Sequence, residues 1–206
     1  MKKIYRVADY ISDFLVEKKI KHTFLLPGGG NMYLVDGVGK NKKIEVVPCL
    51  HEQGVSIAAE AYSRIRENLG VGIITTGPGS TNAITGVAGA WIDSIPLLII
   101  SGQVKRDDIM KNNKVRQNGV QEVDIVSMIK NITKFSQTIR KKEDIKKILE
   151  KSFYLATSGR PGPVWIDIPL DIQGAPIEPT KLKGWNHKKY YKNLQIKKQK
   201  IDKIFK

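Results

Sequence analysis

Two segments of this chain carry residue types that could do chemistry. In Pro48-Cys49-Leu50-His51-Glu52-Gln53-Gly54 a single carboxylate stands where an apolar run gives way to a helical pattern, and about two dozen residues later comes Thr75-Thr76-Gly77-Pro78-Gly79-Ser80-Thr81-Asn82. Each falls at the carboxyl end of a predicted strand, the edge of an open α/β sheet where ligands are usually bound. Gly77-Pro78-Gly79 could cradle a phosphate, yet it lacks the lysine of a P-loop and the spacing of a dinucleotide fingerprint. Glu52, taken alone, is accounted for by the helix macrodipole, which favours a carboxylate in the first turn. No Gly-x-Ser-x-Gly elbow occurs, and His22, His51 and His187 lack metal-ligand spacing. The information lies in the pairing of the two segments.

The elements that must position them follow from hydrophobic periodicity. Apolar residues at helical spacing predict a first helix from Ile4 to Lys19, and His22 to Leu26 reads as a short strand. Pro27-Gly28-Gly29-Gly30-Asn31 breaks the chain before a short helix. Ile44 to Val47 is the second expected strand, Glu52 to Arg66 a long helix, and Val71 to Thr75 a buried strand. Ser80 or Thr81 is expected to cap a helix through Ala90, with Leu97 to Ser101 the next buried strand. A helix from about Glu122, a strand Thr133 to Thr138, a helix Glu143 to Thr157 and a strand Val164 to Ile168 complete the pattern. Strands and helices alternating at these lengths predict a three-layer α/β/α fold, a doubly wound, mostly parallel six-stranded sheet with helices on both faces. Ala83, Thr85, Gly86, Ala88, Gly89 and Ala90 make one helix nearly all small residues, which suits either tight packing on its own sheet or close approach to another subunit.

Composition sets the outer limits. The 206 residues suffice for one domain, or one domain with an appendage, and 41% hydrophobic with 27% charged content is the balance of a soluble globular protein. The formal charge of +15 invites a nucleic-acid reading, but Lys181 to Lys206 holds ten lysines against Asp202 alone and so carries nine of those charges. The remaining excess forms no basic stripe interleaved with aromatics, which argues for a solvated lysine-rich surface and against nucleic acid. Cys49 is the one cysteine, so no intramolecular disulfide can form, and its small side chain suits a buried strand end. The longest apolar stretch, Ile95 to Ile100, is far too short for a membrane span, and the N-terminal residues lack a signal-peptide pattern. A cytoplasmic setting is expected.

Seven blocks then stand in a known order: Pro27-Gly28-Gly29; His51-Glu52-Gln53; Thr76-Gly77-Pro78-Gly79 with Thr81-Asn82; Asp93 to Leu97; Gly102-Gln103-Val104; Val120 to Asp124; and Gly159 to Val164 through Asp167-Ile168-Pro169. Over about residues 1 to 175 the chain resembles the N-terminal, pyrimidine-binding domain of thiamine diphosphate-dependent enzymes of the acetolactate synthase type. The resemblance implies residues 1–178 as that domain and 179–206 as a basic linker opening a further one.

In that family a buried Glu hydrogen-bonds N1′ of the cofactor's aminopyrimidine and favours the imino tautomer, whose 4′-nitrogen takes the proton from thiazolium C2. The resemblance gives Glu52 that role and places Gln121 near the reacting carbon. It assigns Thr76, Gly77, Pro78, Gly79 and Asn82 to the pyrimidine side, and the Gly28-Gly29 loop to the thiazolium. It further implies a 2-oxo acid substrate and a homo-oligomer, dimer or tetramer, built through this domain. At two positions the sequence departs from the acetolactate synthase pattern, with Val120 where a Phe is usual and Leu170 where a Lys is usual. The reaction therefore stays open between acetolactate synthesis and a related decarboxylation or carboligation. The family's Gly-Asp-Gly to Asn-Asn motif, which holds diphosphate and magnesium, does not occur in these residues, and nothing here supports a flavin. The chain is expected to be a fragment of a longer polypeptide, or one chain of a split enzyme, and inert alone. The reading from a different class is a non-catalytic α/β interaction domain on the same scaffold.

Overall fold

The computed structural model describes residues 4–110 and 115–187. Six parallel strands form one sheet: β1 (His22–Leu25), β2 (Glu45–Pro48), β3 (Gly70–Ile74), β4 (Leu97–Gln103), β5 (Phe135–Thr138) and β6 (Pro163–Pro169). Their order across the sheet is β2-β1-β3-β4-β6-β5. Strands β3, β4 and β6 read as near-continuous apolar runs because both faces are covered, as parallel sheets require.

Alternate residues of one strand serve opposite faces. On β4, Leu98 and Ile100 join a cluster with α1 (Val7–Glu17), α2 (Met32–Gly39) and α7 (Ile145–Thr157). Leu97 and Ile99 join the other cluster, with α3 (Glu52–Arg66), α5 (Ile84–Asp93) and α6 (Ile125–Ile129). That split is the three-layer sandwich, and each fully buried aliphatic side chain contributes about 1.5–3 kcal/mol. Helix α3 lies close on the sheet because Gly70 and Gly72 present no side chain to it: a Cβ at Gly70 would stand 2.0 Å from the Ala59 carbonyl oxygen.

One expected helix is built differently. The segment expected to start at a Ser80 or Thr81 cap and run through Ala90 is two helices, α4 (Pro78–Asn82) and α5, parted at Ala83. Gly77 is the N-cap and Pro78, with its fixed φ, the first helical residue, so the start comes earlier. The two hydroxyls donate instead of capping: Ser80 Oγ to the Thr75 carbonyl at 2.7 Å and Thr81 Oγ1 to the Pro78 carbonyl at 2.9 Å. The small residues of α5 differ in what surrounds them. A Cβ at Gly86 would meet Ser56 Oγ at 2.4 Å, so Gly86 serves packing on α3, whereas a Cβ at Gly89 would meet nothing within 4 Å.

Beyond residue 178 the chain still packs on the domain: Leu182 touches the core, and the Trp185 ring centroid lies 5.0 Å from that of Tyr154. The rest of the basic segment, residues 188–206, including the helix start expected around Ile196 to Phe205, lies outside the described residues. Among the described residues no helix is long and apolar enough to cross a membrane.

Candidate functional site

From β1 the chain steps to β2 on one side, then returns through α3 to β3 on the other side of β1. The carboxyl ends of β1 and β3 therefore flank a switch point, where the loops leaving neighbouring strands diverge and leave a crevice. The segments after β1, β2 and β3 are the ones that carry the glycine loop, Glu52 and the Thr75–Asn82 stretch.

Glu52 is the first residue of α3, and its side chain lies inward, 8% exposed. Asn82 Nδ2 donates to Glu52 Oε2 at 3.0 Å. Glu52 Oε1 accepts no hydrogen bond among the described residues and lies against Gly79, where a Cβ would be 2.7 Å away. Any larger residue at 79 would displace the carboxylate, so the glycine is what lets Glu52 turn in. The arrangement joins three of the residues singled out from sequence and leaves one carboxylate oxygen open to a ligand.

Gly77 joins Gln121 to this group. Its φ of +62° is left-handed backbone, and a Cβ there would sit 2.0 Å from the Gln121 carbonyl oxygen. Gln121 is itself left-handed, with φ of 60°, and is exposed together with Val120, which is 82% exposed. Gly77→Ala is expected to lose about 1–3 kcal/mol for its positive-φ backbone, which at ψ −126° is not the left-handed helical well that other residues visit. The steric part is relieved by displacing the exposed Gln121 segment. Urea unfolding measures the first effect and amide exchange of residues 119–124 the second; a variant unchanged in both would refute the contact.

The Gly28-Gly29 loop is clamped from below. Gly28 N donates to Asn31 Oδ1 at 2.8 Å, Asn31 Nδ2 to the Leu26 carbonyl at 3.0 Å, and Gly30 N to Thr75 Oγ1 at 3.0 Å. Gln173 Nε2 donates to the Gly30 carbonyl at 2.6 Å. A Cβ at Gly28 would collide with Thr75 at 2.6 Å, while Gly29 faces open space. The structure thus brings Gly28, Gly29, Glu52, Gly77, Gly79, Asn82 and Gln121 to one edge of the sheet. Pro78 is exposed at the start of α4, and Thr76 is buried with its hydroxyl given to Gln103 Oε1 at 2.9 Å, so Thr76 acts within the protein.

Beneath the edge is a buried polar cluster. Asp167, 1% exposed, accepts from Ser101 Oγ at 2.7 Å, Gln103 Nε2 at 3.1 Å and Thr138 Oγ1 at 3.1 Å. Burial pushes its carboxyl from the ordinary 3.8 up to about 7, against the pull of those three donors and with a small push from the Asp124 charge. Sequence reasoning quoted Gln103 and Asp167 within longer blocks and gave neither a task. A usable signal was present, because a charged residue inside the apolar run Val164-Trp165-Ile166-Asp167-Ile168 must have partners. Asn31, Thr75 and Gln173 were missed without such a signal.

A cavity of about 490 Å³ lies elsewhere, lined by Tyr5, Asp9, Ser12, Lys40 and Lys43 among others. Its carboxylates are already engaged, Asp9 by Arg6 and Asp13 by Tyr5, and the Ser12 hydroxyl on its wall is buried without a hydrogen-bond partner among the described residues. Cys49 is half-buried against the core, and burial pushes its thiol up, as suits a packing residue.

Comparison with known proteins gives concordant similarities. Residues 5–128 match the family described as thiamine pyrophosphate enzyme, N-terminal TPP binding domain. The chain is 40% identical over 165 residues to the acetolactate synthase large subunit of Buchnera aphidicola, covering 80% of this chain and 28% of that protein. It is 40% identical over 166 residues to the chloroplastic acetolactate synthase of Arabidopsis thaliana, covering 81% of this chain and 24% of that protein. It is 38% identical over 165 residues to the acetolactate synthase isozyme 3 large subunit of Escherichia coli, covering 80% and 28%. The chain spans about a quarter of the length of these curated relatives.

Proposed function

Because the chain belongs to the thiamine pyrophosphate enzymes, through their N-terminal TPP-binding domain, we propose that it takes the aminopyrimidine of thiamine diphosphate at Glu52 and serves an acetolactate synthase-like decarboxylation and carboligation of 2-oxo acids. The observation that carries this reading is the half-committed carboxylate: Asn82 holds Glu52 Oε2, and Oε1 stays free beside a glycine. When bound, thiamine diphosphate supplies an electron sink for cleaving the bond to the carboxylate of a 2-oxo acid.

The chain's own residues bind and orient. Glu52 Oε1 is the atom that would share a proton with N1′, on a side chain that is otherwise nine-tenths buried. Gly77 and Gly79 bring backbone, free of side chains, to the pyrimidine, and Gly28 with Gly29 does so for the thiazolium. Asn82 fixes the Glu52 rotamer. Gln121, on an exposed turn next to Gly77, is the group placed toward substrate, with Val120 and Leu170 setting the acceptor. No residue of this cluster is assigned to the diphosphate or to magnesium. The exposed side of α5, with Gly89, Trp91 and Ile92, is the face by which the domain would meet a second copy.

The test is an NMR titration of isotope-labelled chain with thiamine diphosphate and magnesium chloride. Shifts are expected at Gly28, Gly29, Glu52, Gly77, Gly79 and Asn82. Shifts confined to another part of the domain, or none at millimolar cofactor, where binding weaker than about −4 kcal/mol escapes detection, would overturn the reading.

A further inference from the structure

Gln103 ends β4 with a side chain 5% exposed and all four of its hydrogen-bonding positions used. Oε1 accepts from Thr76 Oγ1 at 2.9 Å and from Val104 N at 2.9 Å. Nε2 donates to Asp167 Oδ2 at 3.1 Å and to the Val123 carbonyl at 3.1 Å. The orientation of the carboxamide is unambiguous, since a backbone N–H only donates and a backbone carbonyl only accepts.

We propose that Gln103 is a positioning residue, whose carboxamide pins the Gly119–Asp124 segment, and with it Gln121, at a set place beside Thr76 and Gly77. Two flanks of the candidate site leave different strands: the Thr76–Gly77 turn follows β3, and the Gln121 segment comes long after β4. Gln103 touches both, and Asp167 holds Gln103 from the far side, itself held by Ser101 Oγ, which accepts from the buried Trp165 Nε1 at 2.7 Å. The Gln121 carbonyl rests on Gly77 at the same junction, so a small shift of Val123 moves Gln121, the group proposed above to meet substrate. The consequence for catalysis rests on the cofactor reading above; the pinning itself does not.

The test exchanges the two side-chain types. Gln103→Glu combined with Asp167→Asn keeps one carboxyl and one carboxamide in the buried pair. The carboxamide now at position 167 can donate to the carboxylate at position 103 and to Thr138 while accepting from Ser101. The carboxylate at position 103 still accepts from Thr76 and Val104. The donor to the Val123 carbonyl is lost, and the partly buried Thr138 hydroxyl accepts where it had donated. In the 206-residue chain at pH 7.5 the exchanged variant is expected to melt close to the parent. Its Gly119 and Glu122 amides, both hydrogen-bonded within the segment, are expected to exchange about tenfold faster, the size of one lost hydrogen bond. A role in general stability alone would leave those amides unchanged once the melting temperature is restored, and that outcome overturns the proposal. Should the exchanged variant not fold, the parent decides: both Gln103 Nε2 hydrogens are expected to be protected from exchange, and exchange at the rate of a free carboxamide overturns the pinning. Thiamine diphosphate is titrated into both proteins in parallel, and affinity is expected to weaken in the exchanged variant. If the parent binds no cofactor the functional reading fails, and the amide result still judges Gln103.

Discussion

Glu52→Gln is expected to slow hydrogen–deuterium exchange at C2 of bound thiamine diphosphate by about 10²- to 10⁴-fold, the usual contribution of a positioned proton-transfer group. The argument starts from what the substitution keeps. Gln at 52 has the same length, its carbonyl oxygen can still accept from Asn82 Nδ2, and its amide can still lie against Gly79. The partner of Glu52 is neutral, so removing the charge leaves no uncompensated cation, and the fold should survive. What is lost is the ability to give and recover a proton at N1′. Glu52→Asp withdraws the carboxylate by one methylene and should fall between, because a misplacement of about 1 Å costs roughly 10²-fold. The measurement is C2 exchange by quench and NMR in the holoenzyme, with cofactor affinity determined alongside. If the Gln variant exchanges C2 at the parent rate, Glu52 is only a helix-start carboxylate and the functional reading fails.

The second large effect is on stability and belongs to Asp167. Its carboxyl titrates at about 7 in the fold because burial disfavours the charged form. In the unfolded chain it returns to the ordinary 3.8, so between these values the native state holds the proton and the unfolded state does not. Stability is then greatest below the unfolded value and falls as pH rises through about 7. At about 1.36 kcal/mol for each pH decade between the two values, the loss from about pH 4 to pH 8 is on the order of 4 kcal/mol. Asp167→Asn keeps hydrogen-bonding atoms toward Ser101, Gln103 and Thr138 and cannot ionise. The difference between parent and variant, measured by denaturant unfolding across that range, is expected to grow with pH in the variant's favour. Subtracting the two profiles removes the other titrating groups, and parallel profiles would show that Asp167 does not titrate in this window.

How far the sequence reached can be judged at particular residues. The span Glu52 to Arg66 was legible to the residue because its apolar period is regular and its start is marked by a local change in pattern. The start of α4 was not, because Ser80 and Thr81 carry the composition of caps, whereas the start is fixed by Gly77 turning left-handed against the carbonyl of Gln121, a residue far along the chain. The candidate site divides in the same way. Glu52, Gly77, Gly79 and Asn82 stand in two short contiguous motifs that sequence displays whole. Gln103 and Asp167 are single polar residues in apolar strands, and their task exists only where β3, β4 and β6 lie side by side.

By itself, then, the sequence determined the element types and the α/β layering and displayed the candidate motifs, since period, turn residues and motif spacing are local properties of a chain. Only the tertiary structure decided the strand order β2-β1-β3-β4-β6-β5, the switch point it creates between β1 and β3, and which oxygen of Glu52 stays free. Those depend on which hydrophobic faces find each other across long separations. The inner strands β1, β3, β4 and β6 each pair along both edges with strands at least one helix away in sequence, and no local pattern records which partner that will be.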